Sequence, residues 1–154
     1  MKKLVVLLMI SVLGLAQSNA QTVTRGPYLQ FPTSSSMKVM WRTDAPTPSR
    51  VYYGSSLATV MDNQVDIVTS ISNHNVNITG LSPYTEYFYA ISDGTNVLAG
   101  ADEAHRFKTS PEIGTVQPIN IWAIGDFGKG NSKQVAVKEA YLDRIGDDMP
   151  DMWF

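Results

Sequence analysis

Short segments of alternating apolar and polar residues fill the chain from residue 21 to about residue 109. Successive side chains of a β-strand point to opposite faces, so an apolar residue at every second position predicts a strand with one buried face. The alternation therefore places Trp41 in a core, with charged residues on the opposite face of the same strand. The predicted inward positions are Met37, Val39, Trp41, Val51, Tyr53, Val76 and Ile78.

Turn-forming residues separate these segments. Clusters rich in Pro, Ser, Asp and Gly occupy residues 32–35, 44–48 and 92–96, and each predicts the end of one strand and the start of the next. Two sheets that close on each other would bury the apolar faces. Residues 21–110 are therefore predicted to form a mainly β sandwich. Residues 111–118, which carry two prolines and a glycine, are predicted to be a short stiff linker.

The last segment, residues 119–154, has a different pattern. An apolar run at its start predicts a buried strand, and a second apolar run closes it. Between the runs, Asn131 can cap a helix together with Gln134, and apolar residues follow at helical spacing. The predicted apolar face is Val137, Ala140, Tyr141 and Ile145, with Gly146 as the stop. Strand, helix and strand in this order predict the first β-α unit of an α/β domain whose remainder we expect beyond the last residue, so the chain is expected to be a fragment.

One carboxylate stands at the end of the first of these strands. Asp126 follows the apolar run directly and lies between Gly125 and the pair Phe127-Gly128. In an open α/β sheet, ligands bind just outside the carboxyl ends of the strands. The glycines allow other groups to approach the carboxylate closely. Asp126 is therefore the candidate reacting or metal-binding residue.

The N-terminus has the three parts of a secretory signal peptide. Residues 1–3 carry two lysines, residues 4–15 are apolar, and residues 18–20 are small or polar and end in alanine. About twelve apolar residues are fewer than the roughly 20 that span a bilayer. Cleavage of residues 1–20 is predicted, which would make the mature protein secreted or periplasmic with no stable membrane span. A retained lipid or membrane tether is the alternative.

Charge and cysteine content exclude two classes of function. The net charge is −2 at pH 7, and this acidic balance offers nothing that attracts nucleic acid. The chain has no cysteine, so neither disulfides nor thiol redox chemistry can contribute. The sandwich must be held together by its core alone.

The histidines and tyrosines of the β region are interpreted structurally. His74 and His105 are single and lack the spacing of metal ligands, so both are expected to be solvated strand residues. Tyrosines at alternate strand positions are more often core residues or cross-strand pairs than a sugar-stacking face. The tyrosines concerned are Tyr52, Tyr53, Tyr84, Tyr87 and Tyr89.

Residues 81–91 resemble the tyrosine corner of immunoglobulin-like sandwiches. Leu81, Pro83 two residues later and a tyrosine that opens an alternating strand make up the pattern, in which the phenol hydroxyl reaches back to the backbone. With Trp41 upstream, residues 21–110 resemble a fibronectin type III domain. The resemblance implies an immunoglobulin/fibronectin III-like β-sandwich.

Two familiar motifs fit the loop around Asp126 poorly. The tripeptide Asp-Phe-Gly at residues 126–128 spells the metal-binding motif of protein kinases, but no lysine strand or catalytic loop precedes it. The glycines at residues 125–130 nearly match a P-loop, but Asn131 replaces the lysine that reaches the phosphates. Neither motif fits the secretory signal and the sandwich that come before it.

A third motif fits both halves of the chain. Ala-Ile-Gly-Asp-Phe-Gly at residues 123–128 resembles the first metal-binding motif of the purple acid phosphatases, in the metallophosphoesterase superfamily. The N-terminal sandwich of the larger members of that family is also similar to this chain at residues 24–30, 39–43 and 49–54. Agreement in both regions, in the right order, is stronger than either alone.

This resemblance implies a secreted phosphatase that hydrolyses phosphate monoesters at two metals, iron(III) with a second iron, zinc or manganese. Asp126 would be a ligand of the iron(III) site, and a hard trivalent ion prefers such carboxylate and phenolate oxygens. Gly128 stands where the wider superfamily usually has a histidine; in the purple acid phosphatase branch a tyrosine from a later motif binds the iron instead. The other ligands would lie beyond Phe154, so this chain is expected to retain no metal pair and to be catalytically incomplete.

A non-catalytic alternative stays open for the chain itself. The fibronectin III-like sandwich would then be a binding or positioning module that touches a partner or a substrate.

Overall fold

The computed structural model describes residues 21–125, 130–146 and 150–153. The predicted signal peptide, residues 1–20, lies outside the described residues, and so do Asp126 and Gly128. The elements in chain order are β1 (Val23–Gln30), β2 (Ser36–Gly54), a 3₁₀ turn (Leu57–Thr59), β3 (Asn63–Thr79), β4 (Glu86–Ser92), β5 (Val97–Gly100), β6 (Arg106–Lys108), β7 (Ile121–Trp122), α1 (Ser132–Ile145) and β8 (Met152–Trp153).

The long strand β2 is the centre of an antiparallel sheet of six strands. Its first half pairs with β1 and β3, and its second half pairs with β3 and β4. Strands β5 and β6 pair with β4. Side chains from both halves of β2 belong to one apolar cluster, so the sheet folds over itself and encloses a single core. The prediction of a mainly β, fibronectin III-like sandwich is confirmed.

The turn predicted at residues 44–48 is wrong, because β2 continues through it from Ser36 to Gly54. From Met37 to Val51 the buried residues of β2 all have odd numbers: Met37, Val39, Trp41, Thr43, Thr47, Ser49 and Val51. Pro46 and Pro48 take exposed, even positions, and the pairing with β3 shifts register on both sides of Thr47. Prolines inside sheets are confined to edges and bulges. Their presence here therefore marks an irregularity in the ladder and not a turn.

The predicted core residues are buried as the alternation requires. Trp41 is 2% exposed, and Tyr53 is half-buried against the cluster. The other predicted positions that are buried are Met37, Val39, Val51, Val76 and Ile78. The predicted turns at residues 32–35 and 92–96 are also present, since β1 ends before the first and β4 ends at the start of the second.

Tyr87 is the tyrosine of the predicted corner. Its hydroxyl accepts a hydrogen bond of 3.0 Å from the backbone N–H of Ser82, and its ring stacks on Phe107 with 5.7 Å between centroids. Leu81 is buried beside it in the core. The corner thus ties the connection between β3 and β4 to the strand that follows.

Most of the other tyrosines confirm the structural interpretation. Tyr89 is buried, and Tyr53 meets Tyr87 edge to face with 6.4 Å between ring centroids. Tyr84 differs, because it is exposed at a positive φ of 49° and carries the Lys108 ammonium 3.3 Å from its ring centroid. It lies in the turn before β4, where no sheet covers it.

The strand, helix and parallel strand predicted after residue 118 are present. β7 pairs in parallel with β8, and α1 lies between them in the chain. The Asn131 side chain accepts a hydrogen bond of 3.1 Å from the N–H of Gln134, and the Gly146 N–H donates to the Leu142 carbonyl. The predicted N-cap and stop of the helix are therefore confirmed. Within residues 21–125, 130–146 and 150–153, no helix is both long and apolar enough to cross a membrane.

The expected packing of the apolar helix face is only partly correct. Tyr141 stacks on Trp122 with 3.8 Å between ring centroids, and Ile145 is half-buried. Val137, however, is 63% exposed, and Ala140 is exposed too. The physical reason is that β7 and β8 are two residues long, which is too short to cover a helix of 14 residues.

Replacing Tyr87 by phenylalanine tests the corner, because it removes the hydroxyl and keeps the ring. The free energy of unfolding should fall by about 1 kcal/mol, since the Ser82 N–H loses its partner. Urea unfolding followed by tryptophan fluorescence measures the loss. Tyr28→Phe is the control, because the Tyr28 hydroxyl makes no hydrogen bond within the described residues. An equal loss in both variants would contradict the role of the corner.

Candidate functional site

The segment that carries Asp126 connects β7 to α1. Asp126 lies outside the described residues, but the chain is described up to Gly125 and again from Gly130. At the helix end, the Gly130 N–H donates to Gln134 Oε1 at 2.6 Å, while Asn131 accepts from the Gln134 backbone. The Asn131 bond satisfies one N–H group of the first helical turn, as an N-cap does. The Gln134 side chain reaches Gly130, the residue before the N-cap, so the pair is a variant of the capping box and not a reciprocal one. In chain order Asp126 therefore falls between the carboxyl end of a strand and a capped helix, the arrangement that the sequence predicts.

Backbone and side-chain bonds fix the parallel register of β7 and β8. The Asn120 N–H donates to Asp151 Oδ2 at 2.9 Å, and the Asp151 N–H donates back to the Asn120 carbonyl at 2.9 Å. Ile121 then pairs with Met152. Because the two strands are parallel, their carboxyl ends lie at the same edge, which is the edge where α/β proteins bind ligands.

The described residues do not make a metal site by themselves. Among residues 21–125, 130–146 and 150–153, no three His, Cys, Asp or Glu side chains come together where they could hold an ion. One carboxylate from Asp126 is fewer ligands than either metal of a dinuclear centre needs. A metal pair at this position would require ligands from outside the described part of the chain.

His74 is the centre of a buried polar cluster in the sandwich. It is 1% exposed, its Nδ1 lies 2.7 Å from Ser49 Oγ and its Nε2 lies 2.8 Å from Thr43 Oγ1. The ring also stacks on Trp41, with 4.5 Å between centroids and 5° between planes. The Thr43 hydroxyl donates to the Ala45 carbonyl at 2.8 Å, so it accepts from Nε2–H. Burial lowers the pKa of His74 and so favours the neutral ring, in which the proton is on Nε2 and Ser49 donates to Nδ1.

The expectation of a solvated His74 is wrong. His74 lies directly opposite Trp41 in the pairing of β2 with β3. Its side chain therefore points to the same inner face of the sheet as Trp41. A polar ring can take such a position because two hydroxyls satisfy both of its nitrogens. His105 fits the expectation better, since its half-buried ring bonds the exposed Asp102 carboxylate at 2.7 Å. One sequence feature could have predicted that His74 is buried and His105 is not. His74 lies two and four residues before the apolar Val76 and Ile78, so it shares their buried face of the strand.

The contact between Ser49 and His74 resembles a nucleophile beside its base, but the geometry excludes that role. Ser49 and His74 are each 1% exposed and lie within the sheet interior. A nucleophile must reach a substrate atom, and nothing opens onto this hydroxyl. The cluster is therefore a structural bridge between strands.

Two neighbouring arginines on the outside of the sheet were not predicted from the sequence pattern. Arg25 of β1 lies directly opposite Arg42 of β2, and both are exposed. Two shallow cavities, of about 360 and 460 Å³, share these two arginines in their linings. The pairing depends on register shifts in β1, which alternation alone cannot predict. The Gly26-Pro27 pair directly after Arg25 is the sequence feature that could have indicated an irregular strand.

The comparisons with known proteins agree with this fold. Residues 24–109 match the family described as purple acid phosphatase, N-terminal domain. No curated protein matches the chain by sequence. The structure of PhoD superposes with a TM-score of 0.56 at 16% identity over 82% of this chain, and the matched part is 26% of PhoD, so the chain spans about a quarter of that protein.

Two smaller structures are also similar. The third fibronectin III domain of the human KIAA0343 protein has a TM-score of 0.42 at 16% identity, covering 68% of this chain and 95% of that domain. The sensor domain of the anti-sigma factor RsgI4 of Pseudobacteroides cellulosolvens has a TM-score of 0.43 at 15% identity. The match covers 61% of this chain and 98% of that domain.

The burial of His74 predicts a loss of stability in acid. Burial lowers the pKa of His74 from its usual 6.5, so the unfolded chain takes up the proton first as the pH falls. The stabilisation from the neutral ring is complete above about pH 6.5 and is lost as the pH falls towards the lowered pKa of the folded state. Urea unfolding at about pH 7.5 and pH 5 should show this loss in the parent and a much smaller loss in His74→Gln.

The matched control for this measurement is His105→Gln. It removes the other histidine of the chain and leaves the buried ring in place, so the acid loss should persist. The same pH dependence in His74→Gln as in the parent would contradict the assignment.

Proposed function

Because the chain belongs to the purple acid phosphatase family through its N-terminal domain, we propose that it is part of a phosphatase that hydrolyses phosphate monoesters. The family match, over residues 24–109, is the observation that carries the proposal. The family implies a dinuclear metal centre, and the proposed metals are iron(III) with a second iron, zinc or manganese. The predicted signal peptide at residues 1–20 supports a secreted or periplasmic location.

The likeness to PhoD supports a fold that continues beyond the sandwich. It covers 82% of this chain, a share larger than residues 1–110 could supply, so it extends into the segment that holds β7 and α1. At 16% identity it speaks for the fold alone. We propose that β7, α1 and β8 are the first unit of the catalytic α/β domain.

Asp126 is the residue of this chain that we propose as a metal ligand. It resembles the ligand of the first family motif, and in chain order it follows the carboxyl end of β7. Two bound metals would activate a water and hold the phosphate oxygens. The described residues of this chain contain no cluster of potential metal ligands. The chain would therefore supply one carboxylate and the strand and helix that position it. The remaining metal ligands would come from elsewhere.

The sandwich is proposed as a support and not as a source of catalytic groups. Its buried histidine is closed off between Trp41, Thr43 and Ser49, so it has no access to a substrate. The alternative function, a fibronectin III-like binding or positioning module without catalysis, is favoured for the chain by itself, because no three potential metal ligands meet among the described residues.

Asp126→Asn in the protein expressed from its complete reading frame tests the phosphatase proposal. Hydrolysis of p-nitrophenyl phosphate and bound iron should both fall, activity by about a hundredfold or more, because an amide oxygen is a far weaker ligand for a trivalent ion than a carboxylate. Asp143→Asn is the matched control, since Asp143 is an exposed carboxylate on α1. Full activity and full iron content in Asp126→Asn would overturn the proposal and leave the binding module.

Residues 21–154 on their own should neither bind a metal pair nor release p-nitrophenol. The reason is the small number of ligands, and metal analysis after incubation with iron and zinc measures it directly. Turnover by these residues that disappeared in Asp126→Ala would show that the chain carries a complete site.

A further inference from the structure

The outer face of β1, β2 and β3 carries an unusual pair of charges. Arg25 pairs with Arg42 across β1 and β2, and Arg42 pairs with Asn73 across β2 and β3. Residues directly opposite each other in an antiparallel sheet point to the same face, with Cβ atoms roughly 5 Å apart. The two guanidinium groups therefore extend from neighbouring positions on one surface. We call Arg25 and Arg42 the arginine pair.

A specific backbone irregularity creates this pair. Register shifts occur on both sides of Arg25, between Val23 and Arg25 and again between Arg25 and Tyr28. Gly26, the next residue, has a φ of 85°, and a Cβ there would lie 2.9 Å from the Met40 carbonyl oxygen. Only glycine fits such a position. Bulges that re-aim a side chain are common beside binding sites.

The pair costs free energy unless an anion is present. Like charges directly opposite each other destabilise a sheet. Two other arginines of the sandwich have acidic partners: Arg50 pairs with Asp66, and Arg106 lies near Glu86 and Glu103. Within the described residues, neither member of the arginine pair has an ion-pair partner. The charges are therefore free to meet an external ligand.

The surroundings of the pair supply further donors and one aromatic support. The first cavity, of about 360 Å³, has no acidic residue in its lining. The arginine pair, Tyr28, Met40, Asn73 and Asn75 line it together with the buried Trp41 and His74. The Arg25 guanidinium lies over the Tyr28 ring at 5.2 Å, which restrains it. Asp44 lines the second cavity, and its Oδ1 already accepts the Thr22 N–H at 3.1 Å.

We propose that the arginine pair binds a phosphate group, free or esterified. Two planar guanidinium forks match the oxygens of a tetrahedral oxyanion, and the amides of Asn73 and Asn75 add neutral donors at the same surface. A bound dianion would also turn the repulsion between the arginines into attraction. The site belongs to the sandwich and involves no residue of the β7 to α1 segment, so it does not depend on the proposed phosphatase activity.

Isothermal titration of the full chain at low salt tests the proposal, with inorganic phosphate and phosphoserine as separate probes. Arg25→Gln and Arg42→Gln should each weaken binding about tenfold or more, because each removes a charge-assisted bidentate contact. Arg50→Gln is the matched control, since it removes the same charge from an arginine that pairs with Asp66. Equal affinity for both probes identifies the phosphate group itself as the ligand, and a preference for phosphoserine identifies an ester.

Thermal unfolding gives a second readout that separates binding from folding. Without phosphate, Arg42→Gln should raise the melting temperature, because it relieves the repulsion. Arg25→Gln also loses the contact with the Tyr28 ring, so only its response to phosphate is used. Phosphate should raise the melting temperature of the parent and of Arg50→Gln but not of the two variants. A lower melting temperature of Arg42→Gln than of the parent, or phosphate binding by either variant as tight as in the parent, would overturn the proposal.

Discussion

The fold depends on the bridge that His74 makes between the two halves of β2. Thr43 lies before the irregular stretch of that strand and Ser49 lies after it, and one imidazole bonds both hydroxyls while stacking on Trp41. An unpaired buried polar group costs more free energy than a typical hydrogen bond gains, so the polar side chains that this stretch of β2 turns inward are more stable when they have partners. The bridge gives partners to Thr43, Ser49 and His74. Thr47 Oγ1 and Trp41 Nε1 are buried nearby without a hydrogen-bond partner among the described residues, so the bridge carries most of the polar pairing at this point.

The same constraint explains where sequence reasoning succeeded and where it failed. Alternation identified Trp41, Val76 and Ile78 as core residues because burial of apolar area depends only on which face a residue occupies. It failed at Thr47 and His74, which look polar and therefore exposed when read one by one. His74 bonds Ser49 and Thr43, which are 25 and 31 residues away in the chain, and Thr47 pairs with Ile71 of β3. A local pattern contains no information on such pairings. The arginine pair was missed for a related reason, since a one-residue register shift decides which side chain stands opposite which.

The candidate site shows the opposite balance between sequence and structure. Asp126 was identified from its place after an apolar run and between glycines, and its side chain lies outside the described residues. The structure contributes the frame, namely a parallel pair of strands and a helix capped by Asn131. The apolar residues of that helix are poorly covered, as the exposure of Val137 shows. The described part of this frame is two strands of two residues and one partly exposed helix. A metal site there would therefore depend on further packing.

Two kinds of phosphate recognition are thus proposed for one chain, and their chemistry differs. Arginines at a surface stabilise the negative charge of a phosphate group but leave water with its ordinary pKa, so binding at the arginine pair cannot by itself lead to hydrolysis. A metal pair lowers the pKa of bound water and generates the nucleophile, and it needs carboxylates such as Asp126 instead of cations. The sandwich has the arginine pair, which lacks acidic partners, and no cluster of metal ligands among its described residues. The segment after β7 instead carries the carboxylate of Asp126, with glycines on both sides of it in the sequence. Binding and hydrolysis would therefore be divided between the two parts of the chain by the sign of the charges that each presents.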